Sequence, residues 1–135
     1  MKRIYAIIFY SILCICAFAQ GWPTNYGGVM LQGFYWDSYT DTKWTNLESQ
    51  ADELSQYFNL IWVPQSGNCN TTGNVMGYMP VYYFDQNSSF GTQAELKSMI
   101  KTFKDKGLGT IADVVVNHRN NLGVNGLWVD YPSET

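Results

Sequence analysis

Residues 113–119 read DVVVNHR, and the architecture of the chain turns on this stretch. Three consecutive valines, Val114, Val115 and Val116, make a near-continuous apolar run, the pattern of a parallel strand covered on both faces. An acid, Asp113, stands at one end and the pair Asn117-His118 at the other. A buried carboxylate without a partner is strongly destabilising, so Asp113 requires one. Asn117 and His118 fall where such a strand leaves the core, the place at which parallel α/β proteins put their chemistry.

Working outward from this strand, set at residues 110–116, the pattern alternates. Residues 28–34 (GVMLQGF) read as a first strand after a Gly pair. In TNLESQADELSQYF, residues 45–58, Leu47, Ala51, Leu54 and Phe58 fall on one helical face. Thr45 and Glu48 there have the spacing of a capping box. Residues 59–64 (NLIWVP) form a second strand, which Pro64 ends. A long loop without periodicity follows, rich in Gly, Asn and Thr, over residues 65–80. Loops of that length are usually functional. Thr92 and Glu95 repeat the capping-box spacing before a second helix, whose apolar face is Leu96, Met99, Ile100 and Phe103. Lys106-Gly107 provides a stop. Strand, helix, strand, loop, helix, strand implies a parallel sheet with right-handed crossovers. Both polar features, the long loop and Asn117-His118, then share the C-terminal edge of that sheet.

Composition narrows the functional classes. Hydrophobic residues make up 46% and charged residues 14%, which fits a packed core and excludes disorder. The net charge is -3 with only eight basic residues, which argues against a nucleic-acid surface. Aromatic content is high at 16%; aromatics dominate cores, and their faces also stack on flat apolar faces such as those of sugar rings. No glycine-rich phosphate loop follows the first strand, and no Walker, zincin or G-x-S-x-G motif occurs, so a nucleotide site is not expected.

Residues 1–19 read as a signal peptide. Lys2 and Arg3 precede an apolar stretch, and Ala17-Phe18-Ala19 is a small-x-small site before Gln20. That stretch is short for a membrane span and no second one follows, so the expected destination is secreted or periplasmic with no membrane contact after processing. Leu13 before Cys14 and Ile15 before Cys16 do not suit a lipoprotein. Cys14 and Cys16 leave with the signal. Cys69 remains as a single cysteine, without an internal disulfide, and reads as a plain loop residue.

MGYMPVYYFDQNSSFGTQAEL (residues 76–96) followed by GLGTIADVVVNHR (residues 107–119) resembles the α-amylase family of glycoside hydrolases. GVMLQGFYWDS (residues 28–38) and IWVPQSG (residues 61–67) are similar to its plant-like and bacterial branch. The resemblance runs from Gly28 to Arg119. It implies an α/β fold, the N-terminal part of a (β/α)8 TIM barrel of about three βα units, within residues 20–118. Residues 119–135 would then begin an inserted loop domain. It implies hydrolysis of internal α-1,4-glucosidic bonds in starch-like α-glucans, with retention of configuration.

By the same resemblance, Tyr78 stacks on the sugar beside the scissile bond and His118 hydrogen-bonds that sugar. Asn117 gives an oxygen to a structural calcium ion (Ca2+), for which an amide oxygen is a suitable hard ligand. Asp113 holds an arginine beyond this chain, and Trp36 and Met79 line the cleft. Each has a plainer role open to it: loop aromatic for Tyr78, turn residue for Asn117, packed histidine for His118, core filling for Trp36 and Met79. One departure stands out. The segment after Gly77-Tyr78 reads PVYYFDQ, where many members of the larger family carry an Asp, and this leaves the preferred glucan length open.

Retaining glycosidases use two carboxylates about 5–5.5 Å apart. In the family these follow later strands, and Asp37, Asp85 and Asp130 match no catalytic motif. The catalytic pair is therefore expected outside this chain. Two other readings stay open: a non-catalytic glucan-binding relic of the same fold, and an unrelated parallel α/β protein.

Overall fold

The computed structural model describes residues 26–69 and 75–120. The expected signal peptide, Asp130 and most of the expected inserted domain lie outside the described residues. Three strands, β1 (Met30–Gln32), β2 (Leu60–Val63) and β3 (Gly109–Ala112), form one sheet in the order β1-β2-β3. Both pairings are parallel, with Met30 opposite Leu60 and Leu60 opposite Gly109. Parallel neighbours need long crossovers rather than tight turns. The first crossover carries α1 (Trp44–Ser49) and α2 (Ala51–Leu54), and the second carries α3 (Gln93–Asp105). All three strand exits therefore open on one edge of the sheet, as the sequence order implies. Among the described residues no helix is long and apolar enough to cross a membrane.

The core lies between this sheet and the helices. Ile61 and Val63 of β2 meet Leu47, Ala51 and Leu54 from the first crossover and Leu96, Met99 and Phe103 from α3. Trp44, Met76, Phe90 and Leu108 complete it. Burying one large apolar side chain of this kind contributes roughly 1.5–3 kcal/mol before entropy is counted. The helices are also joined by polar contacts. Glu48 Oε1 accepts hydrogen bonds from Ser98 (2.8 Å) and Thr102 (2.7 Å) of α3.

The ends of α3 follow from its sequence. Thr92 accepts from the Glu95 backbone N–H while the Glu95 carboxylate accepts from the Thr92 N–H, a complete capping box. At the other end Gly107 takes φ 78, and the Leu108 and Gly107 N–H groups donate to the Phe103 and Lys104 carbonyls. This is a Schellman ending, with Leu108 and Phe103 both in the core. Thr92→Ala is expected to lower stability by about 1 kcal/mol. The check is the urea midpoint, which should fall while the slope of the transition stays the same.

Several expectations are corrected. All three strands are shorter than the patterns suggested. The first helix starts at Trp44, so Thr45 is an exposed residue inside it rather than its cap. Tertiary anchoring sets that start: Trp44 is fully buried and its N–H donates to the Phe90 carbonyl at 2.9 Å. Glu48 is drawn to α3 instead of closing a capping box. Ile100, placed on the apolar face by spacing, is 40% exposed. The largest difference is at the valines: β3 ends at Ala112, and Val114 and Val116 are 64% and 79% exposed. The described sheet has no strand beyond β3, so no neighbouring strand pairs with the valines that follow it.

Candidate functional site

The loop between β2 and α3 folds back over the sheet edge and presents Tyr78 there. Residues from all three strand exits hold it. After β1, the Trp36 ring lies parallel to the Tyr78 ring, with centroids 6.0 Å apart and an interplanar angle of 0°. After β2, the buried Gln65 side chain donates to the carbonyl of Gly77, the residue preceding Tyr78, at 2.6 Å. After β3, Asp113 accepts the Tyr78 hydroxyl at 3.0 Å, and His118 Nε2 lies 2.8 Å from the Tyr78 carbonyl oxygen. A carbonyl only accepts, so His118 Nε2 carries the proton in this contact. Asp113 is half-buried rather than buried, and the partner it has among the described residues is the Tyr78 phenol, from a loop 35 residues away in sequence.

Burial, and then the hydrogen bond and negative charge of Asp113, push the Tyr78 phenol up to about 12. Because the folded value lies above the ordinary one of about 10, the neutral phenol stabilises the fold fully below that pH. This contribution is lost as pH rises through the folded value. Asp113→Asn is expected to move the Tyr78 titration down without returning it to 10, since burial is the first cause. Ultraviolet phenolate titration, taken as the difference from a Tyr78→Phe variant, measures it.

Trp36, Tyr78 and Met79 line a cleft of about 460 Å³ with Asp37, Cys69, Val75, Met76, Gly77 and Asn120. Trp36 is 70% exposed and Met79 53% exposed, so both present apolar surface to whatever enters. Aromatic faces of this kind are flat and apolar, the shape that stacks on a sugar ring. Asp37, at the lip, holds the left-handed backbone conformation with φ 67. Burial pushes the Cys69 thiol up, against a hydrogen bond with the Met79 backbone that lowers it, so it is not an activated nucleophile.

The loop is braced from below. Asp85 accepts from the Asn68 side chain at 2.7 Å and from both nitrogens of Asn87, and chiefly the Asn68 contact holds its carboxyl below the usual range, against burial. Arg119 donates to the Val81 carbonyl and lies 4.9 Å over the Tyr83 ring. The Asn120 N–H donates to the Pro80 carbonyl.

Most other carboxylates serve structure. Asp41 holds Tyr35, Asp52 pairs with Lys106, Asp105 with Lys101, Glu48 joins two helices, and Glu95 caps α3. Glu53 lies on α2, away from the strand exits. Among the described residues Asp37 is the one carboxylate lining the cleft. For calcium, Asn117 offers one exposed amide oxygen, whereas the ion takes 6–8 oxygens. No group of three His, Cys, Asp or Glu side chains that could hold a metal occurs among the described residues.

The structure thus gathers Trp36, Tyr78, Met79, Asp113 and His118 at one edge. Of the expected residues, Trp36, Tyr78 and Met79 line the cleft itself, while Asp113, Asn117 and His118 lie outside its lining. Sequence reasoning missed Gln65; its one signal is a polar residue immediately after the strand-ending Pro64.

A parallel sheet with helical crossovers and a site at its strand exits defines the class: three strands from the N-terminal part of an α/β barrel. The crystal structure of α-amylase I from Eisenia fetida superposes with a TM-score of 0.58 at 24% identity, over 71% of this chain and 19% of that one. No protein-family model matches the chain. In sequence it is 35% identical over 104 residues to the chloroplastic alpha-amylase 3 of Arabidopsis thaliana, covering 74% of this chain and 11% of that protein. It is 24% identical over 132 residues to the alpha-amylase of Bacillus licheniformis, covering 87% of this chain and 26% of that protein. The chain belongs to the α-amylase family of glycoside hydrolases. It spans between a tenth and about a quarter of the length of these two relatives.

Proposed function

We propose that these residues form the N-terminal part of an exported α-amylase that cuts internal α-1,4-glucosidic bonds of starch-like glucans with retention of configuration. The observation that carries this is the parallel Trp36–Tyr78 pair over the cleft, held from all three strand exits. In this proposal the two rings and Met79 carry the glucan chain, and His118 faces the sugar beside the scissile bond. Asn117 gives one oxygen to a calcium ion whose other ligands lie outside the described residues. The nucleophile and the general acid come from later strands. A variant of the Eisenia fetida enzyme has been crystallised with maltohexaose, which supports an α-glucan as ligand. Export rests on the charged and apolar pattern of residues 1–19.

The test is kinetic, on the complete protein with a soluble maltooligosaccharide. Tyr78→Ala and Trp36→Ala are each expected to raise KM by about tenfold while kcat changes much less, because stacking acts on bound substrate and transition state alike. Wild-type KM in both folded variants would remove the aromatic pair from the substrate site. A protein that binds maltohexaose but never cleaves it, even with its later strands present, would favour the glucan-binding relic.

A further inference from the structure

Gln65 is a neutral side chain on a buried stretch of loop, only 4% exposed, and its amide is used at both ends. The oxygen accepts from the Gly67 N–H, and the nitrogen donates to the Gly77 carbonyl at 2.6 Å. A backbone N–H only donates and a carbonyl only accepts, so these two partners fix the orientation of the amide. One side chain thereby joins the start of the long loop to its return, twelve residues later.

The return point is unusual. Gly77 has φ 94, a conformation that L side chains rarely adopt, and a Cβ there would meet the Gln65 carbonyl oxygen at 3.0 Å. Tyr78 follows directly. Its phenol and its carbonyl are held by Asp113 and His118, both after β3, and neither contact reaches the backbone on the N-terminal side of Tyr78. Gln65 supplies that missing point two residues after β2, whose last residue Val63 is buried, as is Pro64 that follows it.

We propose that Gln65 is a positioning residue for Tyr78: its amide clamps the Gly77 carbonyl so that the Tyr78 ring lies parallel to Trp36 across the cleft. The role rests on the glucan-cleft proposal only for its consequence in catalysis; the clamp itself is a property of the fold. Gln65→Met keeps the length of the side chain and removes both hydrogen bonds. Gln65→Glu keeps the acceptor for Gly67 and replaces the donor facing Gly77 with an ionisable oxygen.

The experiment uses the complete protein and three readouts. In Gln65→Met, KM for a maltooligosaccharide is expected to rise on the order of tenfold with kcat within about twofold, the scale set by loss of one positioned hydrogen bond. The Tyr78 phenol, titrated as the difference from Tyr78→Phe, is expected to shift down as the ring swings out of its contact with Asp113. Gln65→Glu should reproduce both changes. In the wild-type protein the Gln65 side-chain amide protons should exchange with solvent far more slowly than those of an exposed glutamine. A folded Gln65→Met protein with unaltered KM and Tyr78 titration overturns the proposal. If the variants do not fold, fast exchange of the wild-type amide overturns it and slow exchange upholds it. A wild-type protein that ignores maltooligosaccharides, yet whose Tyr78 titration moves in Gln65→Met, keeps the clamp and sinks the glucan cleft.

Discussion

Residues 20–135 produced alone and mixed with starch are expected to release no reducing sugar and to run as associated species rather than as a monomer. The chemistry comes first. A retaining glycosidase needs a nucleophile and a general acid about 5–5.5 Å apart. Among the described residues a single carboxylate, Asp37, lines the cleft, while Asp113 is engaged with the Tyr78 phenol. One carboxylate leaves no partner for the second step. Association follows from the sheet. β1 and β3 are the edges of the described sheet; exposed Met30 lies in β1, and exposed Val29, Val114 and Val116 lie beside the strands. Unpaired strands beside exposed apolar side chains recruit further strands. A closed barrel of this class takes about 250 residues to remove such edges. Size-exclusion chromatography and a reducing-sugar assay decide the matter. A monomer with a sharp cooperative melt and measurable turnover would falsify both the incomplete barrel and the missing catalytic pair.

His118→Ala in the complete protein should lower kcat as well as kcat/KM, by up to about 2.7–4 kcal/mol in transition-state stabilisation, the range for loss of one positioned hydrogen-bonding group. With the Nε2 proton on the Tyr78 carbonyl, Nδ1 is left to accept from a sugar hydroxyl. A hydrogen bond that tightens as the sugar ring flattens stabilises the transition state more than the ground state. The structure adds a second consequence. His118 Nε2 donates to the Tyr78 carbonyl, so the variant also frees one of the three anchors of the stacking ring. KM should therefore rise together with the fall in kcat, unlike in Gln65→Met, where KM alone moves. Steady-state kinetics with circular dichroism as a folding control separates these. A well-folded His118→Ala variant with wild-type kcat would leave His118 as a packing residue that only steadies the loop.

Much of this molecule was legible in its residues. The alternation of apolar runs with helical spacing gave three parallel strands and two helical crossovers, because pleat and helix periods differ and local pattern carries that difference. The capping box of Thr92 and the stop at Gly107 were readable because both are made within one turn of chain. Thr45 shows where this fails: the same spacing was overridden by the buried Trp44 and by α3 claiming Glu48. The valines after Asp113 show another limit. A run of valines records a strand covered on both faces, and the described sheet has no neighbour to cover it.

The sequence by itself determined the fold class, through local periodicity, and the family, through the resemblance of its short motifs. Only the tertiary structure decided who holds whom. That the Asp113 partner is the Tyr78 phenol, that Trp36 lies parallel to it, and that Gln65 clamps the loop could not be read from spacing. These contacts join residues 12 to 42 positions apart, and their geometry is set by how three strand exits converge, which no local pattern encodes.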